Sequence, residues 1–134
     1  MTRAIARWTF AVALVVAGIA HFVALDAFLV LVPSWVPWPV VIVVVTGVME
    51  VALGAALLAA SPGDGRRSVG LALAAFLAVV FVGNISQAVS GADVFGLDSD
   101  VERWGRLAFQ PLLIAWALWS TDAMPRWWAF RRKA

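Results

Sequence analysis

Four apolar stretches of membrane-spanning length constrain this chain more than any other feature: residues 5–25, 39–60, 68–90 and 104–121. A helix needs about 20 apolar residues to cross the hydrocarbon core of a bilayer. Hydrophobic residues make up 63% of the 134-residue chain and charged residues only 13%, which excludes an ordinary soluble domain. The sequence therefore predicts one all-α integral membrane domain, residues 1–134, folded as a four-transmembrane-helix bundle.

The connection between the first two stretches differs from an ordinary polar loop. Its sequence, DAFLVLVPSWVPWP (residues 26–39), is apolar, and its three prolines exclude a straight continuous helix. We expect an interfacial or re-entrant segment that caps the bundle, because non-helical backbone at membrane depth must be covered by protein or line a cavity. The residues predicted to form this lid are Pro33, Trp35, Pro37 and Trp38.

The distribution of basic residues predicts the orientation. Lys and Arg are concentrated on the cytoplasmic side of membrane proteins. One side of the predicted bundle carries eight of them: Arg3, Arg7, Arg66, Arg67, Arg126, Arg131, Arg132 and Lys133. The opposite loop carries Asp93, Asp98, Asp100 and Glu102, with Arg103 and Arg106 as the exceptions. Both termini are therefore predicted to be cytoplasmic.

An alternative interpretation treats residues 1–25 as a cleaved signal peptide, since they begin with basic residues and continue as an apolar run. The run is long for a signal peptide, and no clear A-x-A cleavage motif follows it. A first transmembrane helix is the preferred prediction.

Glu50 is the residue that most suggests function, because it lies inside the second apolar stretch. A carboxylate in the bilayer core costs several kcal/mol unless it is paired or neutralised, so such a residue marks a functional site by default. The alternative is a protonated carboxyl, or an ion pair with Arg106, that only holds helices together. The sequence leaves both interpretations open.

The other polar residues of the spans converge on Glu50. The convergent set is His21, Thr46, Glu50, Asn84, Gln87, Arg106 and Gln110. A rise of 1.5 Å per residue places four of them at one level in the outer third of the bilayer: His21, Thr46, Asn84 and Gln110. Glu50 lies about 6 Å deeper, and Arg106 and Gln87 lie nearer the outer mouth. The spacing predicts a polar pocket that opens toward the outer side, with Glu50 as its floor.

Composition excludes several functions for the chain by itself. It has no cysteine, so thiolate metal ligands and thiol redox chemistry are excluded, and its one histidine excludes a multi-histidine metal site. We predict no metal site. The formal net charge is only +2, and the arginines lie at chain ends and in loops, which favours a lipid bilayer rather than nucleic acid as the partner.

Five segments carry a resemblance to a known family: GIAHF (18–22), VPSWVPWP (32–39), TGVMEVALGAALL (46–58), GNISQAV (83–89) and RLAFQPLLIAW (106–116). In this order they resemble the DoxX-like family of small four-helix bacterial membrane proteins. The resemblance implies a multi-pass protein of the bacterial cytoplasmic (inner) membrane. The family's polar motif positions correspond to His21, Glu50, Asn84, Arg106 and Gln110. Members are linked to quinone-coupled sulfur oxidation and to membrane oxidoreductase complexes that handle thiol or oxidative stress.

Three functions are compatible with these features. The first is a redox-associated subunit that binds a quinone or another lipophilic small molecule, with His21 and Glu50 exchanging protons with it. Its electrons would come from an oxidoreductase partner chain, and a homo-oligomer is the other partnership considered. The second is a stand-alone intramembrane acid/base enzyme, an isomerase, cyclase or hydrolase acting on a lipophilic substrate. The third is a structural membrane subunit. In the first, the ligand-binding residues are Thr46, Asn84, Gln87, Arg106 and Gln110.

Overall fold

The computed structural model describes residues 2–96 and 99–124, and within these ranges the chain is all-helical, as predicted. It contains five helices: α1 (Thr2–Val23), α2 (Leu25–Leu29), α3 (Pro39–Ala59), α4 (Asp64–Ser90) and α5 (Asp100–Ser120). Helices α1, α3 and α4 are each long and apolar enough to cross a membrane. The fourth predicted span corresponds to α5, whose place in a membrane stays a prediction. The tail residues used to predict orientation, Arg126, Arg131, Arg132 and Lys133, and also Asp98, lie outside the described residues.

Several helices begin earlier than the apolar stretches from which they were predicted. Helix α4 begins at Asp64 rather than near residue 68, and α5 begins at Asp100 rather than near residue 104. Hydropathy marks only the apolar part of a helix, whereas capping fixes its first turn. At α5 the Ser99 side chain accepts a hydrogen bond from the Glu102 amide, and a Glu102 carboxylate oxygen accepts one from the Ser99 amide at 3.0 Å. This reciprocal capping box places the start of α5.

Glycines allow α1 and α3 to pack very closely. A Cβ atom built on Gly18 would lie 2.7 Å from the Gly47 carbonyl oxygen, and one on Gly54 would lie 2.9 Å from the Ala11 carbonyl oxygen. Small residues at such positions let two backbones approach each other, which is how helices associate without a hydrophobic driving force. Gly47 and Gly54 supply such positions on α3, and Gly18 lies opposite Gly47 on α1.

The helices form two pairs, α1 with α3 and α4 with α5, and the pairs meet less extensively through α3–α4 and α1–α5. We name the end of the bundle that carries α2 and the α4–α5 loop the outer end, and the opposite end the inner end. The buried core lies toward the inner end: Phe10, Ala11, Leu14, Leu57, Leu73, Phe76, Leu77 and Ala117. Toward the outer end the two pairs leave a space between them, and this space holds the candidate site.

The connection from α2 to α3, residues 30–38, runs as a series of turns. Trp38 adopts a left-handed backbone conformation with φ of 53°, and Pro39 then occupies the first turn of α3, where its missing amide hydrogen is not needed. Gly83 of α4 permits this connection to approach closely, since a Cβ there would lie 3.2 Å from the Leu31 carbonyl oxygen. The connection therefore lies against the outer end of the bundle.

Candidate functional site

The space between the two helix pairs is a cavity of about 690 Å³ to which α1 to α5 all contribute. Six of the seven convergent polar residues line it: His21, Thr46, Glu50, Asn84, Arg106 and Gln110. Most of the remaining lining is apolar, including Ala17, Leu77, Val80 and Leu113. A largely apolar cavity with a few convergent polar groups is typical of a small-molecule site.

Glu50 and His21 meet on the wall formed by α1 and α3. The distance from His21 Nδ1 to Glu50 Oε2 is 3.3 Å, and both side chains are nearly buried. His21 Nδ1 also lies 2.9 Å from the Ala17 carbonyl oxygen, which fits a neutral ring that carries its proton on Nδ1 and donates it to Ala17. Glu50 Oε2 is then buried with no hydrogen-bond partner among the described residues. An unsatisfied buried acceptor costs about 1–3 kcal/mol, so a proton on the carboxyl or a donor on a bound molecule would stabilise it.

Aromatic rings cover His21 on the outer side. The ring of Phe28, in α2, stacks on His21 with centroids 3.7 Å apart, and Phe95 packs edge-on against Phe28 at 5.0 Å. The Arg106 guanidinium lies over the Phe95 ring at 5.7 Å. This series joins α1, α2, the α4–α5 loop and α5. It shields the imidazole and holds a positive charge near the cavity mouth.

Arg106 and Gln87 pair with each other. Arg106 Nη1 donates a hydrogen bond of 3.0 Å to Gln87 Oε1, while Gln87 Nε2 donates to the Ala92 carbonyl oxygen at 3.3 Å. Gln87 is fully buried and is the one convergent residue that does not line the cavity. The ion pair between Glu50 and Arg106 that the sequence left open is not formed, because each side chain has a different neighbour.

Asn84 and Gln110 form a second pair on the wall opposite His21 and Glu50. Asn84 Nδ2 donates to Gln110 Oε1 at 3.1 Å, and Gln110 Nε2 donates to the Leu77 carbonyl oxygen at 2.8 Å. Thr46, on α3, donates its hydroxyl proton to backbone oxygens of its own helix, Ile42 and Val43, each at 2.9 Å. These side chains can still accept hydrogen bonds from a molecule in the cavity.

The four residues predicted to form a lid differ in their relation to the cavity. Pro33 and Trp35 line the cavity, whereas Pro37 and Trp38 do not. Trp35 is nonetheless 74% exposed, so it forms part of the rim rather than a closed cover. Trp38, the residue preceding α3, is also 74% exposed.

Other lining residues gave no clear signal in the sequence. Trp116 lies at the deep end, stacked on Phe10 with centroids 4.9 Å apart, and its Nε1 is buried without a hydrogen-bond partner among the described residues. Its spacing from Gln110 gave no signal, because residues six apart point about 120° away from each other on a helix. Phe28 is seven residues after His21, but it belongs to α2, beyond the break at Ala24, so the two do not share a helical face. The position of Phe95 depends on the path of a loop, which the sequence pattern does not predict.

The neighbours of Arg103 at the outer end explain why a basic residue is found on the predicted non-cytoplasmic side. Arg103, at the start of α5, donates hydrogen bonds to Asp93 at 2.6 Å and to Asp100 at 2.9 Å. These acidic partners offset a cation on the side predicted to face away from the cytoplasm. Among residues 2–96 and 99–124, no group of three or more His, Cys, Asp or Glu side chains is arranged to hold a metal ion.

A family model described as "Domain of unknown function (DUF8561)" matches residues 10–121. The chain belongs to this family. The part matched by DUF8561 contains all the residues that line the cavity. Neither the curated proteins nor the solved structures include a match to the chain.

Proposed function

We propose that this DUF8561 member is a DoxX-like, four-transmembrane-helix protein of the bacterial inner membrane, with both termini cytoplasmic. It binds a quinone, or another lipophilic molecule with a carbonyl or hydroxyl group, as a redox-associated subunit. The single observation that carries this proposal is the contact between Glu50 and His21 in the wall of an apolar cavity. Helix α5 is the proposed fourth span, since it has 21 residues, as α3 does, and packs along α4.

The rim of the cavity favours a ligand that arrives from lipid. The exposed residues among the cavity lining include Trp35, Ile42, Val79, Val82 and Phe109, all of them apolar. An apolar molecule that enters past them loses little solvation, whereas a hydrophilic one would exchange water for hydrocarbon contacts. The ligand's apolar part would lie among Ala17, Val80 and Leu113.

The polar walls would hold the oxygen atoms of the ligand. Glu50 and His21 are the groups able to give or take a proton. With the Nδ1 proton donated to Ala17, the histidine would accept a proton at Nε2 and later return it. Arg106 and Gln110 on the opposite wall would polarise and orient a carbonyl oxygen. Electrons would come from an oxidoreductase partner, and this chain would supply the binding site and the protons.

Tryptophan fluorescence gives a direct test, because quinones quench it and both Trp35 and Trp116 line the cavity. We would titrate the purified protein in detergent with decylubiquinone. Glu50→Gln and His21→Ala are each expected to weaken binding about tenfold, which corresponds to about 1.4 kcal/mol. Asp64→Asn, which removes an exposed carboxylate far from the cavity, is the matched control and should bind as the wild type does. Unchanged affinity in both cavity variants would end the proposal.

The same contact between an acid and an imidazole supports a second candidate, the stand-alone acid/base enzyme. Such an enzyme needs no electron transfer, so the purified protein alone would turn over a lipophilic substrate without an electron acceptor. The other alternative is a structural membrane subunit. It is supported by Asn84 and Gln110, which hydrogen-bond to each other and to the Leu77 carbonyl oxygen rather than to a ligand. This alternative predicts that alanine at Gln110, Glu50 or His21 lowers the melting temperature. It also predicts that added ligand does not shift the melting temperature of the wild type.

A further inference from the structure

The cavity extends around α4 further than around any other long helix. Successive residues of an α-helix point about 100° apart. On α1, α3 and α5, the residues that line the cavity lie within a sector of about 120° or less. On α4 they begin on the side that hydrogen-bonds to Gln110 and continue around the helix in the order Leu77, Asn84, Val80, Gly83, Val79 and Val82. This series covers about 220° of the helix circumference, so the cavity surface reaches the outside of the bundle at α4.

The part of this surface that reaches the outside lies between α4 and α3. Gly83 is next to the Leu31 carbonyl oxygen, in the connection that leads to α3. Val79 is 70% exposed and Val82 is 45% exposed, although both line the cavity. We name the exposed lining residues on this side the lateral opening: Trp35, Ile42, Val79 and Val82.

The lateral opening lies at the depth of hydrocarbon chains in a bundle that spans a bilayer. Helix α4 ends at Ser90, at the outer end of the bundle. Val82 and Val79 precede Ser90 by eight and eleven residues, which places them about 12 and 17 Å below the end of the helix. The hydrocarbon core is about 30 Å thick, so these residues lie well inside it. A charged group would lose its hydration at this depth, whereas a hydrocarbon chain would not.

We propose that the ligand carries a long apolar chain, which leaves the cavity through the lateral opening while an oxygen-bearing head stays between the polar walls. This inference rests on the proposed function, because the head occupies the site formed by His21 and Glu50. The head must be uncharged, since it passes the same apolar residues on its way in. The ligand class is therefore an uncharged ring with oxygen substituents and a hydrocarbon chain, as in a prenylated quinone. Phospholipids and fatty-acid anions do not belong to this class.

Photo-crosslinking would map the path of the chain. The probe is a decylubiquinone analogue with a diazirine in its chain, added to the purified protein in detergent, and the labelled residues would be identified by mass spectrometry. Excess decylubiquinone suppresses labelling from the bound state but not labelling by probe dissolved in the micelle. We expect the suppressible labels on Ile42, Val79 and Val82. Suppressible labels on Ala13 and Phe109 instead, which line the cavity on α1 and α5, would overturn this inference and leave the proposed function standing. No suppressible label anywhere would contradict both.

Two variants narrow the lateral opening without touching the polar walls. Val79→Phe and Val82→Phe are each expected to weaken decylubiquinone binding about fivefold, while the chainless ubiquinone head binds within about twofold of the wild type. Val89→Phe is the matched control, because Val89 is a 73% exposed valine of α4 that does not line the cavity. It should bind both ligands as the wild type does. An equal loss for the two ligands in the opening variants, or the same loss in Val89→Phe, would overturn the inference. Glu50→Gln reports on the head site separately, since it should weaken both ligands.

Discussion

The close approach of α1 and α3 holds His21 beside Glu50, and Gly18→Ala perturbs it most directly. The added Cβ would lie 2.7 Å from the Gly47 carbonyl oxygen and 2.9 Å from the Val51 amide nitrogen. Both are backbone atoms, so they can move only if the two helices separate. Overpacking of this kind costs about 1–3 kcal/mol, and we take the upper end because the clashes are with backbone. Alanine gains about 1 kcal/mol of helix propensity over glycine, which leaves a net loss of about 2 kcal/mol.

Gly105→Ala is the matched control, because nothing lies within 4 Å of a Cβ at that position of α5. It should gain up to about 1 kcal/mol from propensity alone. The free energy of unfolding of both variants would be measured by SDS titration in mixed micelles, followed by circular dichroism. The difference between them, about 3 kcal/mol, isolates the packing cost from the change of residue type. If the two alanine variants were equally stable, the close α1–α3 contact would not exist as described.

Two further predictions concern local hydrogen bonds. Ser99→Ala removes the capping box with Glu102 and should lower the free energy of unfolding by about 1 kcal/mol, as measured by the same titration; a change under a few tenths would contradict this role. Gln110→Leu leaves Asn84 without its acceptor and should cost about 1–3 kcal/mol, while adding Asn84→Leu should recover part of that loss. Additive losses in the double variant would mean that the two side chains do not interact.

Some of the cavity could be predicted from the sequence because the information is local. Hydropathy gives the helices, and a fixed rise per residue brings His21, Asn84 and Gln110 to one level once the helices are paired. Lipid cannot satisfy polar groups, so such groups are expected to turn toward one another. The structure places them around one cavity.

The choice of neighbour for each polar group needed the tertiary structure. From the sequence, Glu50 could pair with Arg106 or with His21. It contacts His21 because the glycines bring α1 and α3 close together. Gln87 shares a helix with Asn84, yet it turns to Arg106 and leaves the cavity wall. A rotation of a helix about its axis by a few tens of degrees would change which of these side chains pair. The pattern of neighbouring residues in the sequence does not specify that rotation.

The sequence by itself determined a chain of apolar helices with one acid in their midst, because helix formation and hydropathy depend on neighbouring residues. Tertiary packing alone decided that the acid contacts an imidazole, and that Phe28 and Phe95 cover this pair. The physical reason is that close contact between distant segments depends on the separation and rotation of whole helices, which small residues at a few crossing points determine.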